Sequence, residues 1–324
     1  MPLISRSSFR PPILLNNGHL QTIAPTLMKR APQAQYQRER ISTPDSDFLD
    51  LDWSCPGSER LAILSHGLEG SSDRWYMRGM AGALNRAGWD ALAWNYRGCS
   101  GESNRTLRFY HSGATEDLDI VVSHAITKGY RTIALVGFSL GGNITLKYLG
   151  ERASALHPAI AAGVAFSVPC DLRSSAYKLA LRSNRIYMNR FLITLREKVR
   201  RKMELLPGQI DDRGLEGVKS FLEFDDRYTA PIHGFRDAED YWARSSSRPF
   251  LGDITVPALL VNAADDPFLA EPCYPLEEAK ASERFFLEIP SSGGHVGFID
   301  AHAASRFWME RRAVEFLEGV LPAP

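Results

Sequence analysis

The chain has 324 residues, which at roughly 150 per domain allows two domains or one large α/β domain carrying an insertion. Hydrophobic residues make up 44%, charged residues 23% and aromatics 10%, a composition that can bury a sizeable core and excludes a disordered or fibrous chain. Lys+Arg at 38 balance Asp+Glu at 38, so no whole-molecule field favours nucleic acid, and any basic patch must be local.

Residues 1–35 read as an irregular arm. Their one apolar piece, Ile13-Leu14-Leu15, falls short of the roughly 7–15 apolar residues of a secretory signal, and no later run approaches the ~18 of a membrane span. A soluble, cytoplasmic protein is therefore expected. Cys55, Cys99, Cys170 and Cys273 form no C-x-x-C pair, which argues against a zinc site and a disulfide framework. Segments 36–43 and 48–53 alternate like strands and are joined by Pro44-Asp45-Ser46-Asp47, predicting an antiparallel pair. The runs 61–65, 91–95, 132–136, 160–167, 258–262 and 285–289 are short and mostly apolar, as strands buried on both faces of a parallel sheet are. Helix-length stretches at 73–87, 114–128, 140–153 and 272–281 separate them. This alternation predicts an α/β fold with a mostly parallel, doubly wound sheet, an antiparallel N-terminal strand pair, and ligand chemistry at the strands' carboxyl ends. The rhythm lapses over 169–248, where a long helical stretch, 173–205, precedes a polar segment. The expected organisation is an arm at 1–35, a core of 36–168 and 249–324, and a helical cap insertion at 169–248.

Gly137-Phe138-Ser139-Leu140-Gly141-Gly142 follows one apolar strand and opens a helical run, the context in which G-x-S-x-G marks a nucleophile elbow. The sharp turn strains the central residue and crowds its neighbours, so small residues are needed at 137, 141 and 142. Glycine fills all three. The alternative is a glycine-rich helix start with an incidental serine.

A serine hydroxyl needs a base and an orienting carboxylate, which in this fold class follow in the order Ser, Asp, His. Asp265-Asp266 follows the strand at 258–262, and His295 follows the strand at 285–289 on Ser291-Ser292-Gly293-Gly294. Asp266 is taken as the acid, with Asp265 as the alternative. Of the eight histidines, His302 falls in the next helix as a surface residue, whereas His19, His111 and His233 are candidate pocket residues. The oxyanion of the tetrahedral intermediate needs two backbone donors: the Leu140 N–H, just past the serine, and the Leu68 N–H in His66-Gly67-Leu68-Glu69-Gly70. Glu69 is unexpected so close to an oxyanion and is supposed to turn away, to an arginine. Cys99 reads as a small packed residue, with a reactive thiol as the alternative.

These residues resemble the α/β-hydrolase superfamily and, within it, the YheT-like hydrolases, relatives of mammalian α/β-hydrolase-domain lipases and yeast medium-chain acyl-ester synthases. The resemblance runs through Asn17-Gly18-His19-Leu20-Gln21-Thr22, His66–Gly70, Asn95-Tyr96-Arg97-Gly98-Cys99, Tyr110-His111-Ser112-Gly113, Gly137–Asn143, Asp265-Asp266-Pro267 and Gly293–Phe298. It implies a serine esterase with Ser139, Asp266 and His295 as triad, no metal or organic cofactor, and a small-molecule ester or lipid as partner. It also implies acyl groups of short to medium length and, in some relatives, acyl transfer to an alcohol instead of water. A non-catalytic ligand-binding protein on the same fold is the remaining alternative.

Between Arg173 and Lys202 stand ten Lys/Arg residues and one acid, Glu197, so this segment carries +9 in a neutral chain. It is taken as a cap helix whose charges lie in water or pair with the acidic 211–240 stretch, in preference to a helix lying on anionic lipid. Tyr177, Tyr187, Met188 and Phe191 are expected to offer an apolar wall to an acyl chain.

Overall fold

The computed structural model describes residues 2–28, 34–301 and 307–321. Its frame is one nine-stranded mixed sheet. In chain order the strands are β1 (Leu3–Ile4), β2 (Gln37–Ser42), β3 (Phe48–Ser54), β4 (Arg60–Ser65), β5 (Asp90–Asn95), β6 (Thr132–Phe138), β7 (Ile160–Phe166), β8 (Ala258–Val261) and β9 (Phe285–Glu288). In space they run β1-β9-β8-β7-β6-β4-β5-β3-β2. The pairs β2–β3 and β3–β5 are antiparallel, and the rest are parallel. Short apolar runs make the parallel strands β4 to β9 because both sheet faces are covered there, whereas the edge strand β2, Gln37–Ser42, is polar and largely exposed. Leu61, Ile63 and Leu92 join the core on one face, and Ala62, Leu64, Ala91 and Ala93 the core on the other. Burying each of the larger side chains contributes about 1.5–3 kcal/mol.

The arm is not irregular: it holds β1, which extends the sheet edge beside β9, and the helix α1 (Gly18–Leu27). Helices α2 (Trp75–Arg86), α3 (Thr115–Thr127) and α4 (Leu140–Arg152) connect the parallel strands. Between β7 and β8 no strand lies among the described residues; instead come α5 (Leu172–Ala180), α6 (Arg185–Leu205), α7 (Phe221–Phe224), α8 (Ala230–Ile232) and α9 (Ala238–Ser245). A π-helical turn, Asp225–Thr229, links α7 to α8. The single helix expected over 173–205 is broken. Leu181 adopts extended backbone, and the buried Asn184 amide donates to the carbonyls of Lys178 and Pro267, groups a continuous helix would not offer it. Helix α10 (Leu276–Ala281) precedes β9, and α11 (Trp308–Val320) follows it against α2. His302 lies outside the described residues.

Candidate active site

Ser139 stands between the end of β6 and the first residue of α4 with φ 54° and ψ −121°, a conformation that L-residues hold only under constraint. The constraint comes from close packing. A Cβ on Gly137 would come within 2.4 Å of the Gly141 carbonyl oxygen, one on Gly141 within 2.2 Å of the Ser65 oxygen, and one on Gly142 within 2.5 Å of Val168 Cγ2. The three glycines are therefore what lets the turn close, and the turn sets the hydroxyl at the N-terminus of a 13-residue helix.

His295 Nε2 lies 2.9 Å from Ser139 Oγ, and its Nδ1 lies 2.9 Å from Asp266 Oδ2 and 3.2 Å from Oδ1. The carboxylate is buried and also accepts the Phe268 N–H at Oδ1, 2.8 Å away, so its orientation is set from both sides. This arrangement assigns the proton to Nδ1 and leaves the Nε2 lone pair facing the serine. The neighbouring carboxylate takes another part: Asp265 Oδ1 accepts the Gly294 N–H at 2.9 Å and supports the turn that carries His295. Phe268, which the motif reading passed over, stacks on the imidazole with ring centroids 4.0 Å apart. Its signal was only its place, two residues past the acid.

Helix α1 buttresses the histidine loop, which gives the Asn17–Thr22 motif a physical meaning. Asn17 caps the helix by accepting from the His19 and Leu20 N–H groups. Gly18 lies so close to the Asp265 carbonyl that a Cβ would sit 1.9 Å from its oxygen. The buried Gln21 amide exchanges two bonds with the Ile299 backbone, and Thr22 Oγ1 accepts the His295 N–H at 2.9 Å.

The loop 66–70 leaves β4 beside the serine. Its Gly67 N–H donates to the Tyr76 hydroxyl, its Glu69 N–H to the Tyr110 hydroxyl and its Gly70 N–H to the Gly67 carbonyl. Among the described residues neither the Leu68 nor the Leu140 N–H has an acceptor, and both residues line the cavity that reaches Ser139. His66 is wholly buried between the Gly67 carbonyl and the Tyr96 N–H, and burial pushes its pKa down to about 3, so it is neutral here. The Glu69 carboxylate is not held by an arginine: it meets the Lys198 ammonium at 2.8 Å and the Tyr110 hydroxyl at 2.6 Å. Sequence could not name that partner, because Lys198 stands 129 residues away on α6.

On one side of Ser139 and His295 opens a cleft of about 950 Å³, part of it open to solvent, walled by apolar side chains such as Leu172, Leu179, Leu195 and Phe224. On the other side a groove runs past Thr22, Trp75, Tyr187, Arg190 and Thr194. Of the four side chains expected to line an acyl site, Phe191 alone borders the cleft. Tyr187 borders the outer groove, Met188 is packed in the core, and Tyr177 is 43% exposed with its hydroxyl on Glu239. The break at Leu181 parts Tyr177 on α5 from the other three, and on α6 Tyr187 and Met188 lie to either side of Phe191.

Asp225 also borders the cleft, where burial pushes its pKa up to about 7 although Thr229 and Trp242 donate to it. His111 lines the cleft as a neutral ring, held well below the usual imidazole range by burial and by His233 against it; His233 and His19 do not line it. Cys99 packs against the core, and burial pushes its thiol up to about 11, in keeping with a packed residue. Asn143 joins the top of α4 to two loops, donating to the Ser112 and Ser245 carbonyls and accepting the Ser247 N–H.

Five of the ten basic residues between Arg173 and Lys202 are bound internally. Arg173 pairs with Glu239, Arg200 with Glu216 and Lys198 with Glu69, while Arg196 donates to the carbonyls of Leu215 and Val218 and Lys202 to those of Asn104 and Thr106. Among the described residues no helix is long and apolar enough to cross a membrane.

A family model described as alpha/beta hydrolase fold matches residues 63–302. The YheT protein of Escherichia coli (strain K12) is 35% identical over 328 residues, covering 98% of this chain and 95% of that protein. Phospholipase ABHD3 of Homo sapiens is 29% identical over 333 residues, covering 99% and 80%, and the monoacylglycerol lipase of Saccharomyces cerevisiae is 28% identical over 284 residues, covering 85% and 62%. Among solved structures, the Pyrococcus furiosus esterase Pf2001 superposes with a TM-score of 0.61 at 20% identity over 89% of this chain and 92% of that one.

Proposed function

The chain belongs to the α/β-hydrolase family, and from that premise we propose that it hydrolyses carboxylic esters of short- to medium-chain acyl groups through an acyl-enzyme on Ser139. The observation that carries the proposal is the unbroken chain Ser139 Oγ, His295, Asp266, with 2.9 Å at each link. His295 Nε2 takes the hydroxyl proton as Oγ attacks the ester carbonyl carbon, and Asp266 stabilises the imidazolium that forms. The carbonyl oxygen, now an anion, accepts from the Leu68 and Leu140 N–H groups. Collapse of the tetrahedral intermediate expels the alcohol, which His295 protonates. Water, deprotonated by the same nitrogen, then releases the acid and restores Ser139.

The two openings on the serine support a division of the substrate. The apolar cleft suits the acyl chain, and the groove past Thr22, Arg190 and Thr194 suits the alcohol side. Two relatives carry the names phospholipase and monoacylglycerol lipase, which supports a lipid-derived ester as the substrate class. The helices between β7 and β8 act as the cap over that cleft, with much of their positive charge spent on internal pairing and not on a membrane.

The test is turnover of p-nitrophenyl acetate, butyrate and octanoate by the wild type and Ser139→Ala, together with labelling by a fluorophosphonate probe. Labelling at Ser139 and loss of turnover in the variant are expected. A wild type neither labelled nor active would refute the proposal. Adding ethanol and measuring ethyl ester against free acid separates hydrolysis from transfer to an alcohol, and free acid is expected to dominate.

A further inference from the structure

A charged pair, Glu69 and Lys198, stands beside the proposed oxyanion site. A carboxylate next to a developing oxyanion opposes it, yet Glu69 adjoins Leu68 in sequence and holds a left-handed backbone at φ 52°, strained for a residue with a side chain. Three groups hold it there. The Tyr110 hydroxyl accepts the Glu69 N–H at 2.8 Å and donates to its carboxylate at 2.6 Å, Arg74 Nη2 donates to its carbonyl at 2.7 Å, and the Lys198 ammonium meets the carboxylate at 2.8 Å. Lys198 also lies 4.5 Å over the Tyr110 ring and donates to Cys99 Sγ at 3.3 Å. The side chains of Glu69 and Lys198 are only 10% and 15% exposed, so neither charge is fully hydrated and each depends on the other.

We propose that Lys198 and Glu69 are positioning residues for the reaction: the pair clamps the 66–70 loop so that the Leu68 N–H faces the oxyanion, and the ammonium cancels the carboxylate's charge there. The inference rests on the hydrolase reading above and extends it. Because Lys198 belongs to α6 and Glu69 to the core loop, the oxyanion donor is complete only with the α6 helix seated. The single losses of the two partners differ in severity. Losing Lys198 frees the loop and leaves a bare carboxylate beside the oxyanion, whereas losing the Glu69 charge only frees the loop. The damage should therefore rank Lys198→Met above Glu69→Gln, and the double variant should recover part of what Lys198→Met loses.

The experiment measures kcat and KM separately on p-nitrophenyl butyrate, with melting temperatures alongside. Lys198→Met is expected to lose roughly 100-fold in kcat with KM within about twofold, as a displaced oxyanion donor would, and Glu69→Gln roughly tenfold. Lys198→Arg, which keeps the charge, should return kcat to within about fivefold of wild type. Inhibition by a trifluoromethyl ketone, whose adduct with the serine carries an oxyanion, should weaken in proportion to kcat/KM across the series. Tyr110→Phe removes the hydroxyl that bridges the Glu69 N–H and carboxylate while leaving both charges in the chain, and it decides the matter alone if Lys198→Met does not fold; about a tenfold loss in kcat is expected. Folded Lys198→Met and Tyr110→Phe proteins with kcat within about twofold of wild type would overturn the inference and leave the hydrolase reading standing. A wild type that turns over no ester and takes no fluorophosphonate overturns both.

Discussion

Replacing Asp266 by asparagine tests the site at its least forgiving point, because the structure dictates how the new amide must sit. Asp266 Oδ1 accepts the Phe268 N–H at 2.8 Å, and Oδ2 accepts His295 Nδ1–H at 2.9 Å. An asparagine keeps its carbonyl oxygen on the Phe268 donor, since turning it would place NH2 against N–H. Its NH2 group then faces His295 Nδ1, which must become an acceptor, and the ring proton moves to Nε2. A protonated Nε2 2.9 Å from Ser139 Oγ cannot take the serine's proton. The residue is still buried and hydrogen-bonded, so stability should change little while kcat falls about 10⁴-fold, equivalent to about 5 kcal/mol of lost transition-state stabilisation. Asp265→Asn, by contrast, loses a charge on the Gly294 N–H and keeps a carbonyl acceptor for it, so its kcat should stay within about fivefold of wild type. The assay is steady-state turnover of p-nitrophenyl butyrate for both variants, with circular dichroism melts to show both folded. An Asp266→Asn enzyme within tenfold of wild type, or an Asp265→Asn enzyme that loses a thousandfold, would refute this account of the acid.

Leu179, buried on the wall of the cleft, is expected to set acyl length. Leu179→Trp should cost octanoate roughly 200-fold in kcat/KM by denying burial to about four methylenes at ~0.8 kcal/mol each, and leave acetate nearly unchanged; parallel losses on both esters would disprove the placement. Arg97, 2% exposed, joins Asp45, Asp47 and Asp117, and Arg97→Met strands the buried Asp117 carboxylate and removes the cation paired with the buried Asp47, which keeps the Asn104, Arg105 and Thr106 donors. Urea denaturation should show a loss of about 3–5 kcal/mol, and a change below about 1 kcal/mol would mean the cluster is not the clamp it looks. Asp225, with its pKa pushed up to about 7 by burial, keeps its proton in the folded chain where the unfolded chain has lost it. Its contribution to stability is therefore complete below about pH 4 and declines as pH rises toward 7, by up to about 4 kcal/mol. Melting curves of wild type and Asp225→Asn between pH 4.5 and 7.5 should diverge in that direction, and identical pH dependence would contradict it.

The sheet was legible in the sequence because a strand covered on both faces has to be written as a short apolar run, and local composition records that. The elbow was legible for a similar reason. Gly137 is demanded by Gly141 and Gly142 within the turn, and those two by Ser65 and Val168 of adjoining chain, yet all three glycines stand within three residues of Ser139, so the requirement is printed around the serine itself. Asp266 could be preferred in the sequence but Asp265 not set aside, because what separates them is the docking of the Gly294 turn against Asp265. The break between α5 and α6 was hidden because Asn184 is held there by Pro267, a residue of another loop. Local chain geometry and burial pattern are thus determined by sequence neighbours and can be read from them. The pairing of His295 with Asp266, the partner of Glu69, and the wall of the cleft depend on groups brought together across the fold, and only the tertiary structure sets them.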